Sequence, residues 1–175
     1  GAYPFRPGDE LSSDVYLGLS VAGDQSTTAT AVAIDGRDGT ILYQTEEPLS
    51  QGTSTVSGEY PTKRILQQSL KVACSAFGRP IESLVIHRNG RFGDEELETV
   101  STEIPALQQQ EYVSSDVSWT AVEVIENHSY RLFSYGGSHA PDTGSYTKLD
   151  DETVLVTTFG EPQIHQGTPQ PILCR

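Results

Sequence analysis

The sequence contains no methionine and only three lysines, Lys63, Lys71 and Lys148, among its 175 residues. Without a methionine no initiator residue is represented, so Gly1 reads as a cut or a remnant, and the chain as a piece of something longer. No run of roughly eighteen apolar residues occurs, which excludes an ordinary membrane-spanning helix. The start, GAYPFRPGDE, has neither the charged head nor the apolar core of a signal peptide. A cytoplasmic protein with no membrane partner is expected. Cysteine is scarce too: Cys74 and Cys174 lie far apart in sequence without metal-ligand spacing, which excludes a zinc framework. They read as two reduced thiols, with a disulfide between them left open. There is no nucleophile motif, glycine-rich phosphate loop or zinc cluster, and His87, His128, His139 and His165 show no ligand spacing to one another.

Acid dominates what is there, with 24 Asp and Glu against 11 Lys and Arg and a formal net charge of −13. Such a balance ordinarily argues against binding a polyanion. Few lysines, many acids and many small Thr, Ser and Gly residues also fit a protein adapted to molar salt, where repulsion between like charges is screened within roughly 3 Å. In that setting acidity says little about partners. An ordinary acidic cytosolic protein is the plainer reading. The length supports one domain with a real core and is too short for two.

Residues 1–13 mix Pro, Gly, Ser and charge without period and suit a linker or remnant ahead of a domain over 14–175. Strand patterns follow at 15–22, 27–34 and 40–47, with Gly36 and Gly39 supplying the positive φ of a tight reversal. A helix is predicted over 61–77: Pro61 suits its first turn, Gly78 its C-terminal cap, and Ile65, Leu66, Leu70, Ala73 and Phe77 share one side. The doubly apolar SLVIHR at 83–88 reads as a buried central strand. A shorter acidic helix at 94–104 and strands at 117–126, 130–135, 152–159 and the C-terminus complete the order. Three antiparallel strands followed by alternating helix and strand predict an α/β, mixed sheet covered by helices.

The order is that of the ribonuclease-H fold, and motifs narrow it. VIHRNGRF at 85–92 resembles the strand-ending I-H-R-D-G signature of the Piwi domain of Argonaute proteins, which a short acidic helix follows. Gly167, Thr168, Pro169 and Pro171 in GTPQP resemble the G-T-x-x-P stretch near that domain's C-terminal part, and PDTGSY at 141–146 lies where such proteins have a Pro and Gly turn. The resemblance, to a prokaryotic and specifically haloarchaeal Argonaute, runs from about Val15 to Leu173. It implies a ribonuclease-H-like mixed sheet with helices on both faces, lacking its C-terminal part, and a role in guide-directed silencing or host defence.

Active Piwi domains resemble ribonuclease H in holding two divalent metals with carboxylates, and hard Mg²⁺ or Mn²⁺ is held poorly by hydroxyls and amides. The resemblance places Ser20 where the first carboxylate of a G-x-D-V strand would be and Asn89 where the strand-end carboxylate would be. The family's mobile glutamate falls near Thr55, with Glu59 four residues on, and its fourth ligand lies beyond Arg175. Each has a plain structural reading: Asn89-Gly90 is a favoured turn pair, and Ser20 a small core residue. Asp24 could replace Ser20 only across about 13 Å of strand at roughly 3.3 Å per residue.

The resemblance therefore implies a module that holds a guide strand and its target without cutting, needing no cofactor. Arg88 and Arg91 are the first candidates for phosphate contact and Lys63 and Arg64 the next, since a guanidinium donates two hydrogen bonds to one phosphate; a surface salt bridge is the plain reading of each. An upstream guide-binding domain of the same chain would carry much of the affinity. The alternatives are a Mg²⁺- or Mn²⁺-dependent guide-directed endonuclease whose ligands lie elsewhere, and an acidic protein-interaction module.

Overall fold

A computed structural model describes residues 13–22, 28–48, 59–133, 141–158 and 170–175, and the chain divides into two compact units, Gly1–Ala121 and Val122–Arg175. The first unit begins with three antiparallel strands, β1 (Val15–Ala22), β2 (Thr28–Asp35) and β3 (Ile41–Pro48). Helix α1 (Glu59–Phe77), strand β4 (Ile81–Asn89), helix α2 (Asp94–Gln109) and strand β5 (Val113–Ile125) follow. β4 lies beside β1 and runs parallel to it, so the order from the edge is β3-β2-β1-β4-β5 and the sheet is mixed.

Alternation decides which face is buried. Val15, Leu17 and Leu19 of β1 share a face with Ala29, Ala31 and Ala33 of β2 and with Leu84 and Ile86 of β4, as the register requires, and all are nearly inaccessible. Ile65, Leu66, Leu70 and Ala73 of α1 and Val100, Ile104 and Leu107 of α2 join the same cluster. The small alanines of β2 leave room for α1 to approach the sheet. α1 and α2 also touch each other, Lys63 and Gln67 both reaching Glu103. Among the described residues both helices thus cover one face of the sheet. The opposite face carries Tyr16, Gly18, Ser20, Val85 and His87, half-buried.

α1 ends as its sequence implies, with Gly78 at φ 67° and its N–H on the Cys74 carbonyl. α2 runs five residues past the predicted end, through Pro105. The ring removes one backbone donor on an exposed position, where water can serve the orphaned carbonyl, and continuing the helix buries Leu107 completely. In the β2–β3 turn only Gly39 has a positive φ, 78°. Gly36 is needed for proximity instead: its N–H donates to the Asp14 carbonyl at 2.9 Å, and a Cβ there would lie 1.7 Å from the Ser13 carbonyl oxygen.

α2 starts at a joint with the end of β4. The Gly93 N–H donates to Glu96 Oε2 at 2.8 Å, the backbone half of a capping box. Arg88 Nε donates to Glu96 Oε1 at 3.2 Å, and both side chains are almost wholly inaccessible, at 3% and 1%. Arg88 also donates to the Asn89 carbonyl. One buried carboxylate therefore caps a helix and neutralises the arginine that alternates inward after Ile86.

In the second unit the end of β5 pairs with β8 (Ile172–Cys174), β8 with β7 (Val154–Val156) and β7 with β6 (Tyr146–Lys148), all antiparallel. Leu155 and Leu173 form its buried pair. The PDTGSY turn is present, with Gly144 at φ 87°. No strand forms over residues 130–133 of the predicted strand at 130–135, whose remainder lies outside the described residues. The Tyr130 N–H goes to His128 Nδ1 at 3.2 Å instead of to a ladder.

Removing Glu96 should be severe. Glu96→Ala leaves a buried guanidinium unpaired and is expected to lower the unfolding free energy by about 3–5 kcal/mol, whereas Arg88→Met with Glu96→Leu should recover most of it. Urea unfolding checks both, and a loss under about 1 kcal/mol for the single change contradicts the pairing. In the turn, Gly39→Ala should cost about 1–2 kcal/mol for its left-handed backbone, and Gly36→Ala more, because backbone must move. Equal unfolding midpoints would contradict the close approach.

Candidate functional site

The β1–β4 register pairs Gly18 with His87 and Leu19 with Arg88. Ser20 and Asn89 are the next residues along the two strands, one beyond the last paired residues. Leu17, Leu19, Ile86 and Arg88 point to the helices, so Gly18, Ser20, His87 and Asn89 share the opposite face. Ser20 is half-buried and Asn89 exposed. The C-terminal ends of parallel strands are where open α/β sheets collect ligands. The turn reading of Asn89 holds at the same time, since Gly90 takes φ 96°. His87 packs its ring 6.0 Å from that of Tyr16, and burial pushes its pKa below the ordinary value.

At the ends of β1 and β4 the polar groups on this face are a hydroxyl, an amide and an imidazole held toward its neutral form. None is an anionic oxygen, and such a set does not fit a hard divalent cation. Thr55 lies outside the described residues. Glu59 is the first residue of α1, and its side chain is not described. Among the described residues no group of three or more His, Cys, Asp and Glu is placed to hold a metal ion.

The four basic candidates part company. Arg88, expected at the surface as a phosphate contact, is buried at 2% against Glu96, because its place in the alternation after Leu84 and Ile86 turns it toward the helices. Lys63 lies 2.5 Å from Glu103, and Arg64 pairs with Glu47; both are about two-fifths exposed while their acidic partners are buried. Arg91 is exposed and pairs with no carboxylate among the described residues. Sequence reading missed the three acidic partners. Glu96 had a legible signal, a glutamate three residues after the glycine that precedes a helix; Glu47 and Glu103 had none, being set by how α1 crosses β3 and α2.

The cysteines are both free and partly buried, so no disulfide joins them; burial pushes the Cys174 thiol upward. His128 places Nε2 2.7 Å from the Pro171 carbonyl. Pro171 and Gln170 are described, while Gly167, Thr168 and Pro169 of GTPQP, with His139 and His165, lie outside the described residues. No helix among the described residues is long and apolar enough to cross a membrane.

No protein-family model and no curated protein matches this chain. Solved Argonaute structures do. The Argonaute of Marinitoga piezophila in complex with 5' OH guide RNA gives a TM-score of 0.62 at 22% identity, covering 95% of this chain and 23% of that one. The same Argonaute with guide RNA and target DNA gives 0.65 at 20% identity over the same shares. The A. aeolicus Argonaute gives 0.63 at 21% identity, covering 94% of this chain and 22% of its own. This chain thus spans under a quarter of those proteins, and what the likeness establishes is its fold: a mixed α/β, ribonuclease-H-like sheet of the Piwi type found in Argonautes.

Proposed function

We propose that this chain is a Piwi-like module that holds a guide strand and its paired target without cutting either. The observation that supports the reading is the parallel pairing of β1 with β4 through Leu19 and Arg88, the residues just before Ser20 and Asn89, which carry a hydroxyl and an amide where the resemblance calls for carboxylates. A hydroxyl and an amide supply no charge to offset a divalent cation, so the reading calls for no cofactor. The fold supports nucleic-acid partners, because the Argonautes that share it are seen with guide RNA and, in one case, target DNA.

Phosphate contact in this reading falls to Arg91, and to Lys63 and Arg64 once a phosphate competes with Glu103 and Glu47 for them. Arg88 keeps a positioning role, fixing the end of β4 through Glu96. Backbone contacts of this kind register a duplex without reading sequence, which base pairing with the guide supplies. They also weaken steeply with salt, so affinity in molar salt would rest largely on a guide-binding domain elsewhere in the protein.

The test uses the full-length protein loaded with a guide, a labelled complementary strand and Mn²⁺. Retention of the labelled strand without product is expected. Guide-dependent cutting abolished by a chelator would establish the endonuclease alternative instead. Among binding variants, Arg91→Ala should weaken retention and flatten its salt dependence by about one phosphate contact. An unchanged salt slope would remove Arg91 from the interface.

A further inference from the structure

We infer that the segment His128–Phe133 is a stacking subsite for unpaired nucleobases, with Tyr130 and Phe133 as its rings and Arg131 as its phosphate anchor. The inference rests on the nucleic-acid-binding reading above and adds to it a specific place and ligand class, single-stranded nucleic acid. Tyr130 is 49% and Phe133 63% exposed, two large aromatic side chains presented to solvent within four residues. Single exposed apolar residues are common and mean little. Two rings flanking an exposed arginine are a different arrangement, since every base offers a π-face and every nucleotide a phosphate.

The segment is tied down although it has no regular structure. His128 contacts the Pro171 carbonyl through Nε2 at 2.7 Å and accepts the Tyr130 N–H on Nδ1 at 3.2 Å. Gln170 Nε2 donates to the Glu126 and His128 carbonyls, both at 2.7 Å. The His128 ring also packs against that of Tyr130, with centroids 5.8 Å apart and a 48° tilt. A ring supported in this way loses little further freedom on stacking, and that is what makes an exposed aromatic an effective platform.

Arg131 stands apart from most cations of this acidic chain. Arg37, Lys63, Arg64, Arg79, Arg88 and Arg175 each pair with a carboxylate. Arg131 instead donates Nη1 to the Tyr130 carbonyl at 2.7 Å, with the His128 carbonyl at 3.5 Å, and meets no carboxylate among the described residues. Backbone dipoles fix the guanidinium while its charge is left for an incoming anion. That charge favours a phosphate-bearing strand over an apolar protein surface as the occupant.

The experiment compares the full-length protein with its Tyr130→Ala/Phe133→Ala variant, using a single-stranded oligonucleotide that carries 2-aminopurine, whose fluorescence is quenched on stacking. The parent should bind and quench. The variant should bind about tenfold more weakly and lose most of the quenching, with its circular dichroism unchanged. Tyr130→Trp/Phe133→Trp should restore quenching, which a merely structural role for the rings would not predict. If the parent binds the strand and the alanine variant binds and quenches equally, the subsite is overturned and the nucleic-acid reading stands. If the parent binds no nucleic acid, both fall. If binding is unchanged but the variant alone shifts in oligomeric mass, the rings form a protein contact and the subsite is overturned.

Discussion

Parallel strands cannot be joined by a tight turn, and between β1 and β4 this chain interposes two strands and a nineteen-residue helix before the pairing closes. The register of that pairing is fixed by burial: a slip of one residue would turn Leu84 and Ile86 out of the core and bring Val85 and His87 in. Because Leu17 must face Ile86's side of the sheet, Gly18 must lie beside His87 on the other. The chemistry available at the strand ends therefore follows from core packing. Ser20 and Asn89 follow directly on a register that is set because Val15, Leu17, Leu84 and Ile86 are buried together.

The second constraint is charge. A chain of net charge −13 has more carboxylates than cations, and it places several of them at buried joints where a cation already waits. Glu96 meets Arg88 where β4 gives way to α2, Glu103 meets Lys63 between the helices, and Glu47 meets Arg64 between β3 and α1. At the far end of the strands Asp14 receives Arg79 at 2.7 Å and the Glu82 N–H at 2.8 Å, and these contacts hold its carboxyl below the usual range despite the opposing effect of burial. Most basic residues among those described are thereby structural first. Any phosphate contact falls to the few that are not committed in this way, or must compete with a buried glutamate.

How much of this was legible in the sequence varies with the element. α1 was readable in its cap and in its buried apolar positions Ile65, Leu66, Leu70 and Ala73, though not in the buried Thr62 and Ser69, because a 3.6-residue period and a terminal glycine are local signals. So were β1, β4 and the turn at Gly39. The inward face of Arg88 was also encoded, in the alternation Leu84, Ile86, Arg88, but its arginine chemistry suggested the surface; only the buried Glu96 makes the inward position tolerable. The extension of α2 through Pro105 opposed a sound local rule and was decided by Leu107. The three-residue β6 was too short to show a period, and the alternating YRLFSY formed no strand over its described part because His128 takes the Tyr130 amide. Ser20 and Asn89 were singled out as a pair only through the family resemblance, since no local period marks them.

The most direct test of a neutral site between β1 and β4 is Mn²⁺ binding followed by electron paramagnetic resonance, on the parent and on its Ser20→Asp/Asn89→Asp variant. Two carboxylates on adjacent in-register strands should take up one ion that the parent leaves in solution. Tight binding by the parent, with no gain in the variant, would show that the ligands lie elsewhere and contradict the account.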